Sequence, residues 1–478
     1  MKVSAIKNLD SLFPLNTPRS KIIMMVFFTI EAVLFSLLGT LPWETILALL
    51  GGSVVVYLIL KIPELGMVML FTVSIIKGWL SEYVPFFQHI DYTVFIASIT
   101  FISIFFHTTY KGIAKGPSFA KLAIPLVLFA AFLLFSTLYT KTFDYGVRKA
   151  LSFIAFNLFI FFGVIYLVKE KTNAKKLIYL LISFGILFAL ILHFQLLHHL
   201  LTRTLPPYVV RMTILSAPPI ELGRIFAVSA ILLISIFPTL RTKRYKVVGG
   251  IALFILMIAL VATNSRGPFV SFLLALIIYV CIAPRGSQKQ ALIWLTGISL
   301  IIFTAFILLP HQLVGRYPML FALKTTAPGY LTLTTTAVRL QYWATALKAA
   351  FSNLIAFFIG VGSGGFGSFI YPGYPQSLRF YPHNIFLEIF CDIGIVGLFL
   401  FLWHLSQISS IGLNLLRSEE RLFVLPFIMG FTVTFFNAQV SGDLCDNRAL
   451  WFFAGSLVAI YRMIEYQKGL GHNTHKIV

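Results

Sequence analysis

The sequence contains the stretch Ile251-Ala-Leu-Phe-Ile-Leu-Met-Ile-Ala-Leu-Val-Ala262-Thr-Asn-Ser-Arg-Gly267, and a second apolar run follows from Phe269 to Ile282. Two apolar runs separated by a short polar segment predict two membrane-spanning helices joined by a tight turn. Arg266 lies in that turn, at the end of a span. A buried arginine in this position is costly and normally has an anionic partner, so Arg266 is the first candidate functional residue.

The composition extends this interpretation to the whole chain. Hydrophobic residues make up 59% of the 478 residues and charged residues only 11%, more apolar surface than a soluble protein could bury. We predict an all-α polytopic membrane protein with 12–14 transmembrane helices and a large, partly helical periplasmic loop. No segment resembles a cleaved signal peptide. The fourteen candidate spans are 22–38, 45–60, 66–80, 92–106, 122–138, 150–167, 178–199, 221–239, 247–263, 268–283, 291–309, 385–405, 422–438 and 449–463.

Basic residues orient these spans. Alternate connections are rich in lysine and arginine, which places them and both termini in the cytoplasm by the positive-inside rule. The net charge of +21 is then mostly a topology signal, and nucleic acid is excluded as a partner. The basic residues of these connections are Lys111, Lys115, Lys121, Lys169, Lys171, Lys175, Lys176, Arg241, Lys243, Arg244, Lys246, Arg285, Lys289, Arg417 and Arg421.

The outer side has a different kind of basic residue. Four lysines (Lys141, Lys149, Lys324, Lys348) stand there against nine arginines (Arg148, Arg203, Arg211, Arg224, Arg266, Arg316, Arg339, Arg379, Arg448). Arginine holds phosphate oxygens bidentately and stays charged when buried, so the set indicates a phosphate or diphosphate ligand. The alternative is that these arginines contact lipid headgroups or pair with the outer acids Asp144, Glu221, Glu388, Asp392, Asp443 and Asp446.

Cysteine and histidine spacing gives no sign of a metal site. Cys281, Cys391 and Cys445 fall at different depths of the predicted topology, so we expect neither a disulfide nor zinc. No His-x-x-x-His or Asp-x-Asp cluster occurs, and we predict no metal and no cofactor.

The connection 310–384 divides the chain into three parts, because every other connection is much shorter. We predict transmembrane helices 1–11 in 1–309, a periplasmic loop in 310–384, and helices 12–14 with a cytoplasmic tail in 385–478. A long ordered loop in a compact protein is usually functional. Within it an interfacial helix is predicted near 337–354, starting after the threonines 334–336, with one apolar stripe formed by Leu340, Trp343, Leu347, Phe351 and Leu354.

Three features of this loop are candidates for function. Arg339 lies in the first turn of the predicted helix, where it either reaches inward or contacts lipid phosphate. The glycine-rich run 360–367 is either a hinge or a backbone that a ligand or a second helix approaches closely. His383 follows a proline and precedes an apolar span; it is either a structural residue or a base, since histidine titrates near neutrality.

In combination these segments resemble the O-antigen ligase and polymerase superfamily of bacterial envelope glycosyltransferases. The similarity rests on the order Thr263-Asn-Ser-Arg-Gly267, Arg339-Leu-Gln-Tyr-Trp-Ala344, Gly360-x-Gly-x-Gly, Pro382-His-Asn384 and Asp392-Ile-Gly-Ile-Val-Gly397, with Ser441-Gly-Asp-Leu-Cys-Asp-Asn-Arg448 and Trp451 after it. It covers mainly 211–455; the first two hundred residues resemble the family only in hydropathy.

The resemblance implies a metal-independent inverting glycosyltransferase of lipopolysaccharide biosynthesis in the bacterial inner membrane. The donor would be a glycan on undecaprenyl diphosphate, used at the periplasmic face. The acceptor would be a glycolipid in the same membrane, and membrane lipid would be a further partner. Arg266 and Arg339 would bind the diphosphate and His383 would be the catalytic base.

A second group of residues would bind substrate. Arg211 and Arg224 flank the eighth predicted span, although either could pair with Glu221. The remaining candidates are Arg448 and Asp443 in the last outer segment, and Tyr371, Tyr374 and Tyr381, which could stack on sugar rings or anchor the chain at the interface.

The acceptor is left open. A polymerase is slightly preferred, with a chain-length regulator as a candidate partner, because there are fourteen candidate spans and a Ser-Gly-Asp segment. A ligase transferring to lipid A core is the alternative. A lipid-linked oligosaccharide flippase is a third reading, although the internal repeats common in transporters are not found.

Overall fold

The computed structural model describes residues 25, 29, 43–83, 91–111, 119–283, 288–318, 324–327, 330–333, 335–373 and 379–474. These residues form two compact units, 1–113 and 114–478. The first unit contains three helices, Trp43–Lys61, Pro63–Tyr83 and Tyr92–Lys111. They pack on one another, and the Ser103 hydroxyl donates to the carbonyl of Ile59 at 2.7 Å.

The second unit is a helical bundle. Its long helices are Ala120–Phe135, Phe143–Ser152, Phe159–Leu167, Lys171–Thr202, Pro219–Ile236, Lys243–Ala262, Arg266–Ile282, Gln288–Leu308, Ile385–Leu416, Arg421–Ala438 and Arg448–Thr474. A π-helical turn, Phe153–Leu158, joins the second of these to the third. Pro219–Ile236 lies at the centre, and 83% of the residues in its most apolar stretch are buried. It packs against Lys171–Thr202, Lys243–Ala262, Arg266–Ile282 and Arg421–Ala438.

The helices agree with the predicted spans. In the described part of the chain, nine helices are long and apolar enough to cross a membrane, and three further apolar helices are shorter. The protein is therefore an all-α polytopic membrane protein, as predicted. The candidate span 22–38 lies outside the described residues apart from Met25 and Thr29. The last helix, Arg448–Thr474, is not among the nine; it carries Arg462 and Glu465.

The long loop is only partly helical. It contains the short helices His311–Val314, Leu354–Ile359 and Gly367–Ile370, and the helix Thr335–Ala350, which we call the loop helix. The loop helix begins inside the threonine run rather than after it, and it ends four residues before the predicted end near 354. An antiparallel hairpin of Lys324–Ala327 and Tyr330–Leu333 precedes it, a small β element that the all-α prediction did not include.

A kink in Ile385–Leu416, here called the kinked helix, joins the loop to the bundle. The backbone leaves helical geometry at Ile393 and Gly394, which frees the carbonyls of Cys391 and Asp392. The amides of Val361 and Gly362 donate to these carbonyls, both at 2.9 Å.

Only glycine fits the backbone at this contact. Gly360 has φ of 81°, and a Cβ there would lie 2.2 Å from the Asp392 carbonyl oxygen. The glycine-rich segment is thus a close helix-to-loop contact, one of the two alternatives that the sequence left open.

A buried ion network reinforces the kink. Lys149 Nζ lies 2.5 Å from Glu388 Oε1 and 2.5 Å from Asp392 Oδ2, and all three side chains are at most 2% exposed. The amide of Gly364 also donates to Asp392 Oδ2, at 3.0 Å. Lys149 therefore bridges two of the outer acids, and the positive-inside rule places all three residues on the same side.

We expect Lys149→Met to destabilise the protein strongly, because it leaves two buried carboxylates without their cation. Breaking a buried pair in this way costs about 3–5 kcal/mol. Thermal unfolding of the detergent-purified protein measures the effect, with Lys141→Met as the matched control, since Lys141 is exposed. Equal melting temperatures for the two variants would contradict the assignment.

Candidate functional site

Arg266 is held in place by a rigid turn. Asn264 adopts φ of 51°, and its side-chain amide donates to the Val210 carbonyl at 2.9 Å. The Ser265 hydroxyl donates to the Pro219 carbonyl at 3.0 Å. Thr263, Asn264, Ser265 and Arg266 are all buried. The polar turn between the two apolar helices therefore fixes the start of Arg266–Ile282 against the central helix and directs Arg266.

Three arginines meet at the start of the loop helix. Arg266 Nη2 donates to the hydroxyl oxygen of Thr335, and Arg316 Nη2 donates to the same oxygen at 3.3 Å. Arg339 follows Thr335 by one helical turn. Its pKa is lowered to about 10 by burial and then by the positive charges of Arg266 and Arg316. Among the described residues, neither Arg316 nor Arg339 forms an ion pair with a carboxylate.

His383 lies between two tyrosine rings at the end of the loop. Its ring is parallel to the Tyr342 ring within 2°, with 6.4 Å between the ring centres. The centre of the Tyr381 ring lies 4.4 Å from that of His383. Its backbone has φ of 59°, an uncommon conformation for a residue with a side chain. Nδ1 is buried and has no hydrogen-bond partner within the described part of the chain. In the neutral imidazole one ring nitrogen donates and the other accepts.

The pKa of His383 is lowered to about 4, first by burial and next by Arg339, with Arg224 and Arg379 acting in the same direction and Asp443 opposing them. The imidazole is consequently neutral at pH 7 and can accept a proton. Because the charge of Arg339 acts on the imidazole, the two side chains lie near one another.

Two further contacts fix His383 relative to the arginines. The indole Nε1 of Trp343 donates to the Pro382 carbonyl at 3.0 Å, and Trp343 is one helical turn beyond Arg339. Asn384 caps the kinked helix, accepting from the amide of Leu387 at 3.0 Å. The loop helix thereby holds Arg339 and the peptide before His383 in one arrangement.

An acidic pair closes the other side of the site. Arg379 Nη2 lies 2.7 Å from Asp443 Oδ2 and 2.6 Å from Asp446 Oδ2, and its guanidinium lies over the Tyr381 ring at 5.2 Å. Burial raises the pKa of Asp443, but Arg379, Lys149 and the backbone amide of Asp446 together more than offset this and lower it. For Arg379 the pairing alternative therefore holds, and Asp443 positions the loop that carries His383.

Arg224 contacts the same outer segment. It donates to the Asp446 carbonyl and to the Ser441 hydroxyl, each at 3.2 Å. No ion pair between Arg224 and Glu221 occurs among the described residues. Arg211 lies in a segment that backbone hydrogen bonds hold on both sides. The amide of Val210 donates to the Gln312 carbonyl at 2.8 Å, and the amide of Met212 donates to the Ala262 carbonyl at 3.2 Å.

The remaining predicted residues are more dispersed. The guanidinium of Arg448 lies 5.0 Å from the centre of the Phe156 ring, and Tyr371 packs on Phe380 at 5.1 Å. Tyr374 lies outside the described residues. In the described part of the chain, no group of three or more His, Cys, Asp or Glu side chains could hold a metal ion.

Sequence reasoning named Arg316 only as one of nine outer arginines and Trp343 only as part of the apolar stripe, and it gave Thr335 and Tyr342 no role in the site. One signal was available for two of them: Thr335, Arg339 and Trp343 are spaced by four residues and so share a helix face. Nothing in the sequence connects Arg316 to that face.

The family comparison agrees with the resemblance. Residues 251–402, about a third of the chain, match the family model described as O-antigen ligase. The matched region includes Arg266, Arg316, Arg339 and His383, whereas Arg224 and Asp443 lie outside it. The match confirms the similarity to the O-antigen ligase and polymerase superfamily and supports a glycosyl-transfer enzyme. No curated protein matches the chain.

We expect the His383 imidazole to stay neutral when the pH falls through 6.5, the ordinary histidine pKa, and to take up its proton only near pH 4. Burial and Arg339 disfavour the charged form. Histidine NMR of selectively labelled protein between pH 4 and 8 measures this, with His383→Gln identifying the signal. A His383 signal that titrates at 6.5 would contradict the expected burial.

Proposed function

We propose that this protein transfers a glycan from undecaprenyl diphosphate to an acceptor sugar at the periplasmic face of the bacterial inner membrane. The observation that supports it best is the convergence of two arginines from distant segments, Arg266 and Arg339, beside the neutral His383. Arginines that repel one another across a buried site are stabilised when a polyanion such as a diphosphate binds between them.

The chemistry needs charge neutralisation on one side and proton removal on the other. The acceptor hydroxyl oxygen attacks the anomeric carbon, and the bond from this carbon to the diphosphate oxygen breaks. Arg266 and Arg339 stabilise the negative charge that develops on the departing diphosphate. The hydroxyl proton passes to the neutral imidazole of His383. A single in-line displacement inverts the anomeric carbon.

Exposed apolar side chains support a site at the membrane surface. Leu340 and Leu347 of the loop helix are 46% and 40% exposed, and Phe351 and Leu354 just beyond its end are 61% and 74% exposed, whereas Ala346, Ala349 and Ala350 pack inward. The loop helix therefore lies in the outer interface in our proposal, with its apolar stripe towards lipid and Arg339 turned towards the bundle. A lipid-linked donor would reach the arginines along this surface without leaving the membrane.

We assign the acceptor to another lipid-linked glycan, which makes the protein a polymerase of lipopolysaccharide biosynthesis, rather than to lipid A core. A chain-length regulator would then be a partner. An in vitro reaction with both acceptors distinguishes them: a ladder of extended lipid-linked glycans supports polymerase activity, and a single product on lipid A core would establish a ligase.

We expect Arg266→Lys and Arg339→Lys each to lower the rate of glycan transfer by about 10²–10³-fold, the loss typical when a donor to a developing oxyanion is removed. Lysine keeps the charge but cannot reproduce the bidentate fork. Transfer from a purified lipid-linked donor measures this. Arg148→Lys is the matched control, because Arg148 is exposed and donates only to the Asp144 carbonyl. Near-normal transfer by both variants would overturn the role.

We expect His383→Ala to lower turnover by about 10²–10⁴-fold, the contribution of a well-placed general base. Donor affinity should be nearly unchanged, because the arginines bind the diphosphate. Turnover at saturating donor and donor binding are measured separately in the variant and the parent. Lost donor binding with normal turnover at saturation would show that His383 is a binding residue and that another base acts.

A further inference from the structure

We propose that Arg316 is a third diphosphate-binding residue, and that the Thr335 hydroxyl holds Arg266 and Arg316 in binding geometry until a phosphate oxygen takes its place. This inference rests on the proposed function and adds two residues to the donor site.

The backbone around Arg316 is fixed, so its side chain has a defined direction. The next residue, Tyr317, donates its hydroxyl to the Val261 carbonyl at 3.1 Å, and its ring packs between Phe269 at 4.9 Å and Phe306 at 5.3 Å. Tyr317 therefore ties this part of the loop to the helices on either side of the Arg266 turn. Arg316 and Arg266 therefore contact the same Thr335 hydroxyl, although they lie in different segments of the chain.

The shared hydroxyl does not compensate the positive charge of Arg316, which forms no ion pair with a carboxylate among the described residues. A threonine hydroxyl has two lone pairs, so one oxygen can accept from both guanidinium groups, but it carries no charge. Burial lowers the pKa of Arg316 as well as that of Arg339. A diphosphate would supply oxygens at similar hydrogen-bond distance together with a negative charge for Arg316.

Thr335 is placed to make this exchange. It is the first residue of the loop helix, and its side chain is exposed. When phosphate oxygens accept hydrogen bonds from Arg266 and Arg316, the freed Thr335 hydroxyl can donate a hydrogen bond to one of these oxygens.

Inorganic pyrophosphate is a suitable probe, because it carries the diphosphate without lipid or sugar. We expect it to inhibit transfer by the parent protein and to raise its melting temperature. For Arg316→Lys and Arg316→Gln we expect the inhibition constant and the donor KM to rise by about 10- to 100-fold, as for loss of a charge-assisted hydrogen bond. Arg148→Lys should behave like the parent.

A second pair of variants tests Thr335. Thr335→Val removes the hydroxyl at nearly constant volume and should raise the pyrophosphate inhibition constant, whereas Thr335→Ser keeps the hydroxyl and should restore it. A role in folding alone would lower the melting temperature of Thr335→Val without changing inhibition by pyrophosphate.

The outcomes separate this inference from the proposed function. If the parent neither transfers glycan nor binds pyrophosphate or donor, the proposed function fails. If Arg266→Lys and Arg339→Lys weaken pyrophosphate inhibition while both Arg316 variants match Arg148→Lys, the donor site stands and the inference on Arg316 is overturned. Equal inhibition constants for Thr335→Val, Thr335→Ser and the parent would overturn the inference on Thr335, even if the Arg316 variants failed to fold.

Discussion

The contact of Lys149 with Glu388 and Asp392 is the interaction on which the rest of the site depends. It lies in the bundle beside the kink, where Asp392 also accepts from the glycine-rich segment of the loop. Both oxygens of Glu388 accept from the amide of Leu444 at 3.1 Å. One buried lysine therefore holds the kinked helix, the glycine-rich segment and the last outer segment together.

The network continues from there to the site. Asp443 precedes Leu444 and pairs with Arg379, whose guanidinium covers Tyr381. Tyr381 in turn contacts His383. Lys149 and Arg379 each bridge two carboxylates, so this half of the site is held by ion pairs and is suited to positioning. The bundle thus determines where His383 stands before any substrate binds.

The arginine half of the site is built in the opposite way. Arg266 and Arg316 share a neutral oxygen, and their charges lower the pKa of Arg339. A protein concentrates like charges at a cost in stability, and such clusters occur where a ligand supplies the balancing charge. In our proposal the ion-paired half positions His383, and the half with the three arginines binds the diphosphate. His383 lies between them, kept neutral by burial and by the neighbouring cations.

The sequence by itself determined the fold class, because a backbone that crosses lipid must satisfy its own hydrogen bonds and long apolar runs therefore form membrane helices. Most of the predicted span ends lie within a few residues of the helix ends. It also singled out Arg266, Arg339 and His383, since charged and titratable residues at the ends of apolar runs are rare and costly. Only the tertiary structure decided which arginines are paired. Arg379 and Arg316 belong to the same set of outer arginines in the sequence. In the structure Arg379 forms an ion pair with Asp443, whereas Arg316 shares the Thr335 hydroxyl with Arg266. Pairing depends on distances between segments far apart in the chain, and neither composition nor periodicity encodes those distances.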